Sequence, residues 1–315
     1  MSSETALRIN YYMNTVRVYH AGIPVKNKNK EKTLVLSNFH KGIVDDTSIE
    51  VFTPTWEVSK LAVIQGWVHE NSQSSPHLNF RKTVITNQRA TGNHVLTIDS
   101  NLFLYADPGN TKSYLRFSLN GVFPTTGNYF TNTVDPNRWK KIKTDLNIDT
   151  LPWRTTGNHI LICLQRNGGW SMGKLDVMDW CNNTITEIKK YTDRKIIVRA
   201  HPGDKMAKDY LKINHPNVFL STNVSITDDL KNAWATITFN SSPGVVSALH
   251  GIPVFVTDPA AKRSQAYGVA NTDLSKIENP EMFERQEWIE KVAMSHFNFE
   301  DLLNGTAWKI IREYI

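Results

Sequence analysis

The 315-residue chain is predicted to have an α/β fold, and two features of its sequence indicate this class. Short apolar runs alternate with segments of helical spacing, and clusters of Gly, Pro and Asn separate them. In the second half, runs such as residues 159–164 are apolar almost throughout, as strands are in a parallel sheet covered by helices on both faces. We therefore expect a doubly wound domain there, whose ligands bind beyond the carboxyl ends of its strands.

The first half predicts strands at residues 33–37, 61–65 and 94–98, each followed by a polar turn. Residues 113–130 are aromatic and interrupted by Gly and Pro, so we expect irregular loops there. A short helix fits residues 136–146.

The second half follows the alternating pattern more clearly. Helical spacing is found in residues 175–191 and 243–250. Strands are predicted at residues 159–164, 195–199, 218–221, 235–239 and 253–257.

Length and apolar content predict two domains, because 315 residues with 40% hydrophobic content exceed one core of ordinary size. Residues 151–158 have the composition of a linker, so we place the boundary near residue 150. The two cysteines, Cys163 and Cys181, are typical of buried free thiols, which predicts a reducing, cytoplasmic compartment. No segment approaches the roughly 20 apolar residues that cross a bilayer, so no membrane span is expected.

The formal net charge of +6 predicts attraction to a polyanion, such as a nucleotide donor, DNA or an anionic lipid. Residues 26–32 form the densest basic run, which is also compatible with a solvated loop. The sequence contains no G-x-G-x-x-G, Walker loop, H-E-x-x-H, paired C-x-x-C or Asp-x-Asp motif. This argues against P-loop ATPases, zinc hydrolases and metal-dependent sugar transferases, so we expect no metal and no cofactor.

Residues 199–204, Arg-Ala-His-Pro-Gly-Asp, follow a predicted strand directly. Arg199 and His201 at the carboxyl end of a parallel strand would aim two donors at a phosphate or carboxylate, and Gly203 helps to end the strand sharply. A structural turn with a hydrogen-bonded histidine fits the same residues.

Residues 239–244, Phe-Asn-Ser-Ser-Pro-Gly, leave one strand and open a helix. Asn240, Ser241, Ser242 and Gly244 would place hydroxyls and exposed N–H groups around an anion such as a donor phosphate. Ordinary capping of the helix is the alternative.

A third polar turn follows the strand at residues 159–164. Here Gln165, Arg166, Asn167 and Gly168 precede a second glycine, so the backbone can approach a ligand closely and the arginine can meet a diphosphate. Three such turns on one edge of a sheet favour a ligand site over chance capping.

Residues 199–203 and 240–255 resemble the donor-binding half of GT-B glycosyltransferases in the capsular-polysaccharide and sialyltransferase-like groups. Those groups hold the nucleotide phosphate with a His-Pro and a Ser-Ser motif, which His201-Pro202 and Ser241-Ser242 match here. The end of the chain is similar to that of many bacterial and viral members.

The resemblance covers roughly residues 150–315. It implies two Rossmann-like domains with a cleft between them. Residues 1–150 would form the acceptor-side domain and residues 151–285 the nucleotide-sugar donor domain, while residues 286–315 would form helices that cross back to the first domain.

The resemblance implies direct displacement of the nucleotide by an acceptor hydroxyl, with His201, Ser241 and Ser242 stabilising the departing phosphate. The acidic motif that supplies the base in sialyltransferase-like enzymes is absent. Asp99, which follows the strand at residues 94–98, is our first candidate for the base, and Asp107 and Asp46 rank below it because they fit turn or cap positions.

The predicted acceptor is hydroxymethylated duplex DNA of a bacteriophage, because the basic charge suits a phosphate backbone. Trp67 and Phe123 are predicted to stack on a flipped base, and Trp56, Phe80 and Tyr105 are further aromatic surfaces. A surface or capsular polysaccharide acceptor is the alternative, and a non-catalytic nucleotide-sugar or nucleic-acid binding protein is a second alternative.

Overall fold

A computed structural model describes residues 15–23, 30–69, 74–104, 113–167 and 170–315. Tyr105, Asp107 and Gly168 therefore lie outside the described residues, as does most of the basic run at residues 26–32.

Strands and helices alternate along the described chain. The strands are β1 Thr15–Tyr19, β2 Thr47–Val51, β3 Leu61–Gln65, β4 His94–Ser100, β5 Tyr114–Leu119, β6 His159–Cys163, β7 Lys195–Arg199, β8 Val218–Leu220, β9 Ala233–Thr238, β10 Val254–Val256, β11 Ala270–Asn271 and β12 His296–Asn298. The α-helices are α1 Lys30–Lys41, α2 Pro76–Ala90, α3 Pro136–Leu146, α4 Val177–Ile188, α5 Ala207–Tyr210, α6 Ile226–Leu230, α7 Pro243–Leu249, α8 Gln286–Ala293, α9 Phe299–Leu303 and α10 Thr306–Ile311.

The described residues form two compact units, each built around one six-stranded sheet. The first unit holds the described residues up to 101, those from 113 to 146, and Glu290–Ile315. The second unit holds Leu102–Leu104 and Asn147–Ile289. The α/β class predicted from the alternating pattern is confirmed.

The first sheet has the strand order β12-β5-β4-β3-β1-β2. Strands β2, β1, β3 and β4 pair in parallel, and β5 and β12 are added antiparallel. Successive residues of β3 enter opposite cores: Leu61 and Val63 lie in one cluster, and Ala62 and Ile64 in another. Helices therefore cover both faces, which explains why this strand is apolar throughout.

The strand predicted at residues 33–37 is wrong, because these residues form the middle of α1. Val35, Leu36 and Phe39 are fully buried, whereas Leu34 is 46% exposed. Apolar residues spaced one and four apart share one face of a helix, and so short a run does not distinguish a helix from a buried strand.

The loops predicted at residues 113–130 are wrong for the first part of that segment, because Tyr114–Leu119 forms β5. This strand pairs antiparallel with both β4 and β12, and its aromatic side chains at positions 114 and 117 are buried. Residues 120–130 form turns and bends, as expected.

The second sheet is parallel throughout, in the order β11-β10-β9-β6-β7-β8. The strands predicted in this half of the chain are present, and β7 has the predicted bounds. Every residue of β6, β9 and β10 is buried, in agreement with the apolar sequence of these strands.

The last segment of the chain completes the first sheet. Only helices were expected at residues 286–315, but residues 296–298 form the strand β12. This strand pairs with β5, and His296 lies opposite Arg116. Arg138 of α3 donates to the Asp301 carboxylate from two nitrogens, each at 3.2 Å, and both side chains are buried. Because a buried charge without a partner is costly, this pair fixes the segment against α3.

In the described part of the chain, no helix is both long enough and apolar enough to cross a bilayer.

We predict that His296 makes the first unit sensitive to acid. Complete burial lowers the pKa of His296 to about 3, whereas the ring titrates near 6.5 in the unfolded chain. Below pH 6.5 the ring binds a proton in the unfolded state but not in the folded state. The contribution of the neutral ring to the free energy of unfolding is therefore complete above about pH 6.5 and is lost as the pH falls towards 3.

Chemical denaturation at pH 7 and pH 5 measures this effect. His296→Gln should lose less stability than the wild type between the two values, by about 2 kcal/mol. His69→Gln, another histidine variant of the first unit, should follow the wild-type difference. An equal loss in His296→Gln and the wild type would show that other groups control the acid response.

Candidate functional site

The three polar turns that were predicted to bind a donor lie at one edge of the second sheet. Strands β9, β6 and β7 are neighbours and run parallel, so their carboxyl ends lie side by side. Asn240 follows β9, Gln165 follows β6 and His201 follows β7. In an open parallel sheet this is the edge at which ligands bind.

Buried amides join the turns after β6, β9 and β10. The backbone N–H of Asn240 donates to the Gln165 side chain (3.1 Å), whose amide nitrogen donates to Ser171 (2.5 Å). The Asn240 side chain donates to the Asp258 carboxylate (2.7 Å). Because Gln165, Asn240 and Asp258 are all buried and hydrogen-bonded, the turns are held in one conformation.

Asp204 joins the turns after β6 and β7. Its carboxylate accepts the backbone N–H of Asn167 (2.8 Å) and the hydroxyl of Tyr210 (2.6 Å). Burial alone would raise the pKa of Asp204, but these hydrogen bonds and one from the Met206 N–H hold it below its usual range. Asp204 is therefore an ionised anchor.

His201 is set up as a neutral hydrogen-bond donor. Its Nδ1 accepts the backbone N–H of Gly203 (3.0 Å), which leaves the ring proton on Nε2. Partial burial of the ring and the nearby charge of Arg166 lower the pKa of His201, so the ring is neutral at pH 7. A Cβ at position 203 would lie 3.1 Å from the ring, so glycine at this position lets the ring lie close to the backbone.

The Ser241-Ser242 pair does not cap helix α7. Ser242 occupies the cap position, but its side chain makes no capping hydrogen bond. The hydroxyl of Ser241 is buried and has no hydrogen-bond partner among the described residues. Leaving a buried hydroxyl unpaired costs about 1–3 kcal/mol, and a ligand oxygen would remove that cost.

Arg166 is exposed, and within the described chain its guanidinium has no hydrogen-bond or salt-bridge partner, so it is available to a ligand. Arg199 is not available. Its guanidinium forms a salt bridge with Asp229 (2.6 Å) and donates to the backbone carbonyls of Asn223 and Val224. The expected phosphate contact of Arg199 is therefore replaced by a structural role.

Gly244 also has a structural explanation. A Cβ at this position would lie 3.1 Å from the Cβ of Ala266 and 3.2 Å from Val254, so glycine lets α7 pack closely on its neighbours. The donor-binding role of Gly244 stays a prediction.

The residues predicted in the first unit do not form a comparable site. Asp99, expected to follow its strand, lies within β4; one of its carboxylate oxygens accepts from Arg116 (3.2 Å) and the other from the Ser100 N–H (2.8 Å). Asp46 is exposed.

The predicted aromatic surfaces are covered or half-buried. The Arg89 guanidinium lies 4.8 Å from the centre of the Trp67 ring, and Phe80 is buried in the core. Trp56 and Phe123 are half-buried. The interpretation of Phe80 as a stacking surface is therefore wrong.

Two cavities, of about 450 and 610 Å³, open at the opposite edge of the second sheet. Asn158 and Asn232 border the first, and Asp193 and Arg194 the second, where the strands begin. They do not coincide with the polar turns.

Sequence reasoning did not assign roles to Asp204 and Asp258. Each follows shortly after a strand of the second sheet. That placement, a carboxylate beside the Asn and Gln of neighbouring turns, is the signal that could have found them.

No protein-family model matches the chain, and no curated protein matches it. Solved structures are similar. KpsC of Thermosulfurimonas dismutans, a β-Kdo 2,4 transferase, matches with a TM-score of 0.56 and 13% identity over 90% of this chain and 90% of that chain. KpsC of the same organism, a β-Kdo 2,7 transferase, matches with a TM-score of 0.51 and 12% identity over 94% and 99%.

These likenesses show the fold. The chain has the GT-B architecture that the His-Pro and Ser-Ser motifs predicted, with two Rossmann-like sheets.

We predict that Ser241→Ala separates ligand binding from stability. The change removes an unpaired buried hydroxyl, so the melting temperature should stay the same or rise, while the affinity for the best-bound nucleotide among CMP, UDP and GDP falls about tenfold. Thermal melting and isothermal titration measure the two effects.

Ser247→Ala is the matched control on the same helix. Its hydroxyl lies 2.9 Å from that of Thr236 and 2.8 Å from the Pro243 carbonyl, so this variant should lose stability and keep its nucleotide affinity. Lower stability with unchanged affinity in Ser241→Ala would assign Ser241 to the fold instead.

Proposed function

We propose that the chain is a glycosyltransferase that moves a sugar from a nucleotide-sugar donor to a hydroxyl group of a glycan. The observation that carries the proposal is the combination of the unpaired Ser241 hydroxyl, the neutral His201 and the free Arg166 on one unit with a GT-B fold. Each of these groups offers a hydrogen-bond donor, and a departing nucleotide phosphate needs such donors.

The proposed donor chemistry follows from charge. When the bond between the anomeric carbon and the phosphate oxygen breaks, negative charge develops on the phosphate. Arg166 would supply a fixed positive charge, while His201 through Nε2–H and Ser241 through its hydroxyl would supply directed hydrogen bonds. Asn167, Ser242 and Gly203 lie beside these groups in the same turns. The buried Gln165 and Asn240 hydrogen-bond to each other and hold two of the turns together.

A glycan is the better-supported acceptor. Two solved structures that match above a TM-score of 0.5 are named Kdo transferases. The case for hydroxymethylated DNA depended on the basic net charge and on aromatic stacking surfaces; of those surfaces, Phe80 is buried and the Arg89 guanidinium lies over the Trp67 ring. We therefore place the polysaccharide acceptor ahead of DNA.

The experiment offers the protein UDP-, GDP- and CMP-linked sugars, CMP-Kdo included, with glycan acceptors or with hydroxymethylated duplex DNA. Nucleotide release and product mass are measured. We expect one donor to release nucleotide faster when a glycan is present, and the glycan to gain the mass of one sugar. No release with any donor would contradict the transferase, whereas sugar found on a DNA base would contradict only the glycan acceptor.

We predict that His201→Gln lowers the transfer rate with the preferred donor by about 10²–10³-fold, because one hydrogen bond to the developing charge is lost. His215→Gln, in the same unit but outside the polar turns, should stay within a few-fold of the wild type. Equal rates in both variants would remove His201 from the site.

A further inference from the structure

A second polar cluster lies in the first unit, on strands β1 and β2 and helix α1. His20, the residue after β1, has its Nε2 at 2.8 Å from Oε1 of Glu50 on β2. The hydroxyl of Ser37 on α1 donates to the same oxygen (2.7 Å). His40 on α1 has its Nε2 4.0 Å from the second oxygen and its Nδ1 2.5 Å from the Ser48 hydroxyl.

The protonation of this cluster leaves a free base. Hydrogen bonds from Ser37 and His20 outweigh burial and hold the pKa of Glu50 below its usual range, so the carboxylate is ionised and His20 must donate through Nε2–H. Burial lowers the pKa of His20 against the raising effect of Glu50, so the ring is neutral at pH 7. The lone pair of His20 then lies on Nδ1.

That lone pair has no partner. Nδ1 of His20 is buried and forms no hydrogen bond within the described chain. An unpaired buried acceptor costs about 1–3 kcal/mol. By contrast, Nε2 of the same ring is hydrogen-bonded. So are Nδ1 of His94 (2.9 Å) and both ring nitrogens of His159 (3.0 and 2.9 Å). Nδ1 of His20 therefore differs from these other ring nitrogens, because it has no hydrogen-bond partner among the described residues.

The position of His20 agrees with a substrate site. It lies at the carboxyl end of β1, the edge at which an open parallel sheet binds its ligands. Phe52, which follows the neighbouring strand β2, stacks on the imidazole with ring centres 4.5 Å apart and an interplanar angle of 17°. Because Phe52 is 66% exposed, the same edge offers an aromatic surface beside the free nitrogen.

Asp99 at the end of β4 is the competing base. Both of its oxygens already accept hydrogen bonds, from Arg116 and from the Ser100 N–H. A base needs a lone pair for the substrate proton: each Asp99 oxygen already has one hydrogen-bond partner, whereas Nδ1 of His20 has none among the described residues.

We propose that His20 is the general base of the sugar transfer and that Glu50 is its positioning residue, an inference that rests on the proposed function. The acceptor oxygen forms a bond to the anomeric carbon of the donor sugar while the bond from that carbon to the phosphate oxygen breaks. The phosphate keeps that electron pair and leaves with the nucleotide. The acceptor proton passes to Nδ1 of His20, and Glu50 stabilises the imidazolium that results.

The test compares His20→Gln and Glu50→Gln with His94→Gln in the full chain. His94 also lies in the first unit, but at the opposite end of its strand, where Asn120 bonds its ring. We expect His20→Gln to lower kcat by about 10²–10⁴-fold with unchanged nucleotide affinity, and His94→Gln to stay within a few-fold of the wild type. Melting temperatures identify any variant that fails to fold.

The pH profile separates a catalytic role from a structural one. The titratable groups that face His20 are Glu50 from β2 and His40 from α1, while Arg81 of α2 packs against Gly22 nearby. A base acts only when deprotonated, and the pKa of His20 is lowered by burial, so wild-type kcat/KM should fall on the acid side of the ordinary histidine range. In Glu50→Gln the raising effect of the carboxylate is lost, so this fall should move to lower pH while the maximal rate decreases.

Each outcome decides the proposal. A slow His20→Gln variant together with a shifted acid limb in Glu50→Gln supports it. Transfer by His20→Gln within a few-fold of the wild type, or an acid limb that is lost in Asp99→Asn but kept in His20→Gln, overturns it and leaves the proposed function intact. Absence of sugar transfer by the wild type with every donor overturns the proposed function and this role with it.

Discussion

The parallel pairing of β9, β6 and β7 is the constraint on which the candidate donor site depends. Parallel strands end at the same edge, so three chain segments must turn away from the sheet next to one another, and their backbone groups need partners there. Gln165 and Asn240 supply these partners with buried amides, and Asp258 completes the set. These hydrogen bonds hold the turns in place, and the Ser241 hydroxyl, which has no partner among the described residues, is a group at this edge that a ligand can use.

The charge at this edge is divided between two kinds of group. Arg166 carries a fixed positive charge, and that charge helps to keep His201 neutral. A hydrogen bond to a charged group is worth about 1.5–3 kcal/mol, against about 0.5–1.5 kcal/mol between neutral partners. Neutral donors directed at a phosphate therefore become stronger when its charge develops, without the desolvation cost of burying a second cation.

The second unit was predictable because burial on both faces makes its strands apolar and the turn residues mark their ends. The structure of the first unit was harder to predict from the sequence. Residues 33–37 are too few to show a helical period, and β12 contains His and Asn and pairs with a distant segment, which a local pattern does not reveal. At the site, the motifs located the edge, but the commitment of Arg199 to Asp229 depends on tertiary contacts alone.

The two units end a parallel strand with a histidine in opposite ways. In His201 the backbone N–H of Gly203 occupies Nδ1, so the free nitrogen carries a proton and can only donate. In His20 the carboxylate of Glu50 accepts a hydrogen bond from Nε2–H, so the free nitrogen Nδ1 carries a lone pair and can only accept. Sugar transfer needs both chemistries, since the departing phosphate requires a donor and the attacking hydroxyl requires an acceptor. Two neutral rings of the same tautomer thus offer opposite hydrogen-bonding groups, because their neighbours occupy different nitrogens.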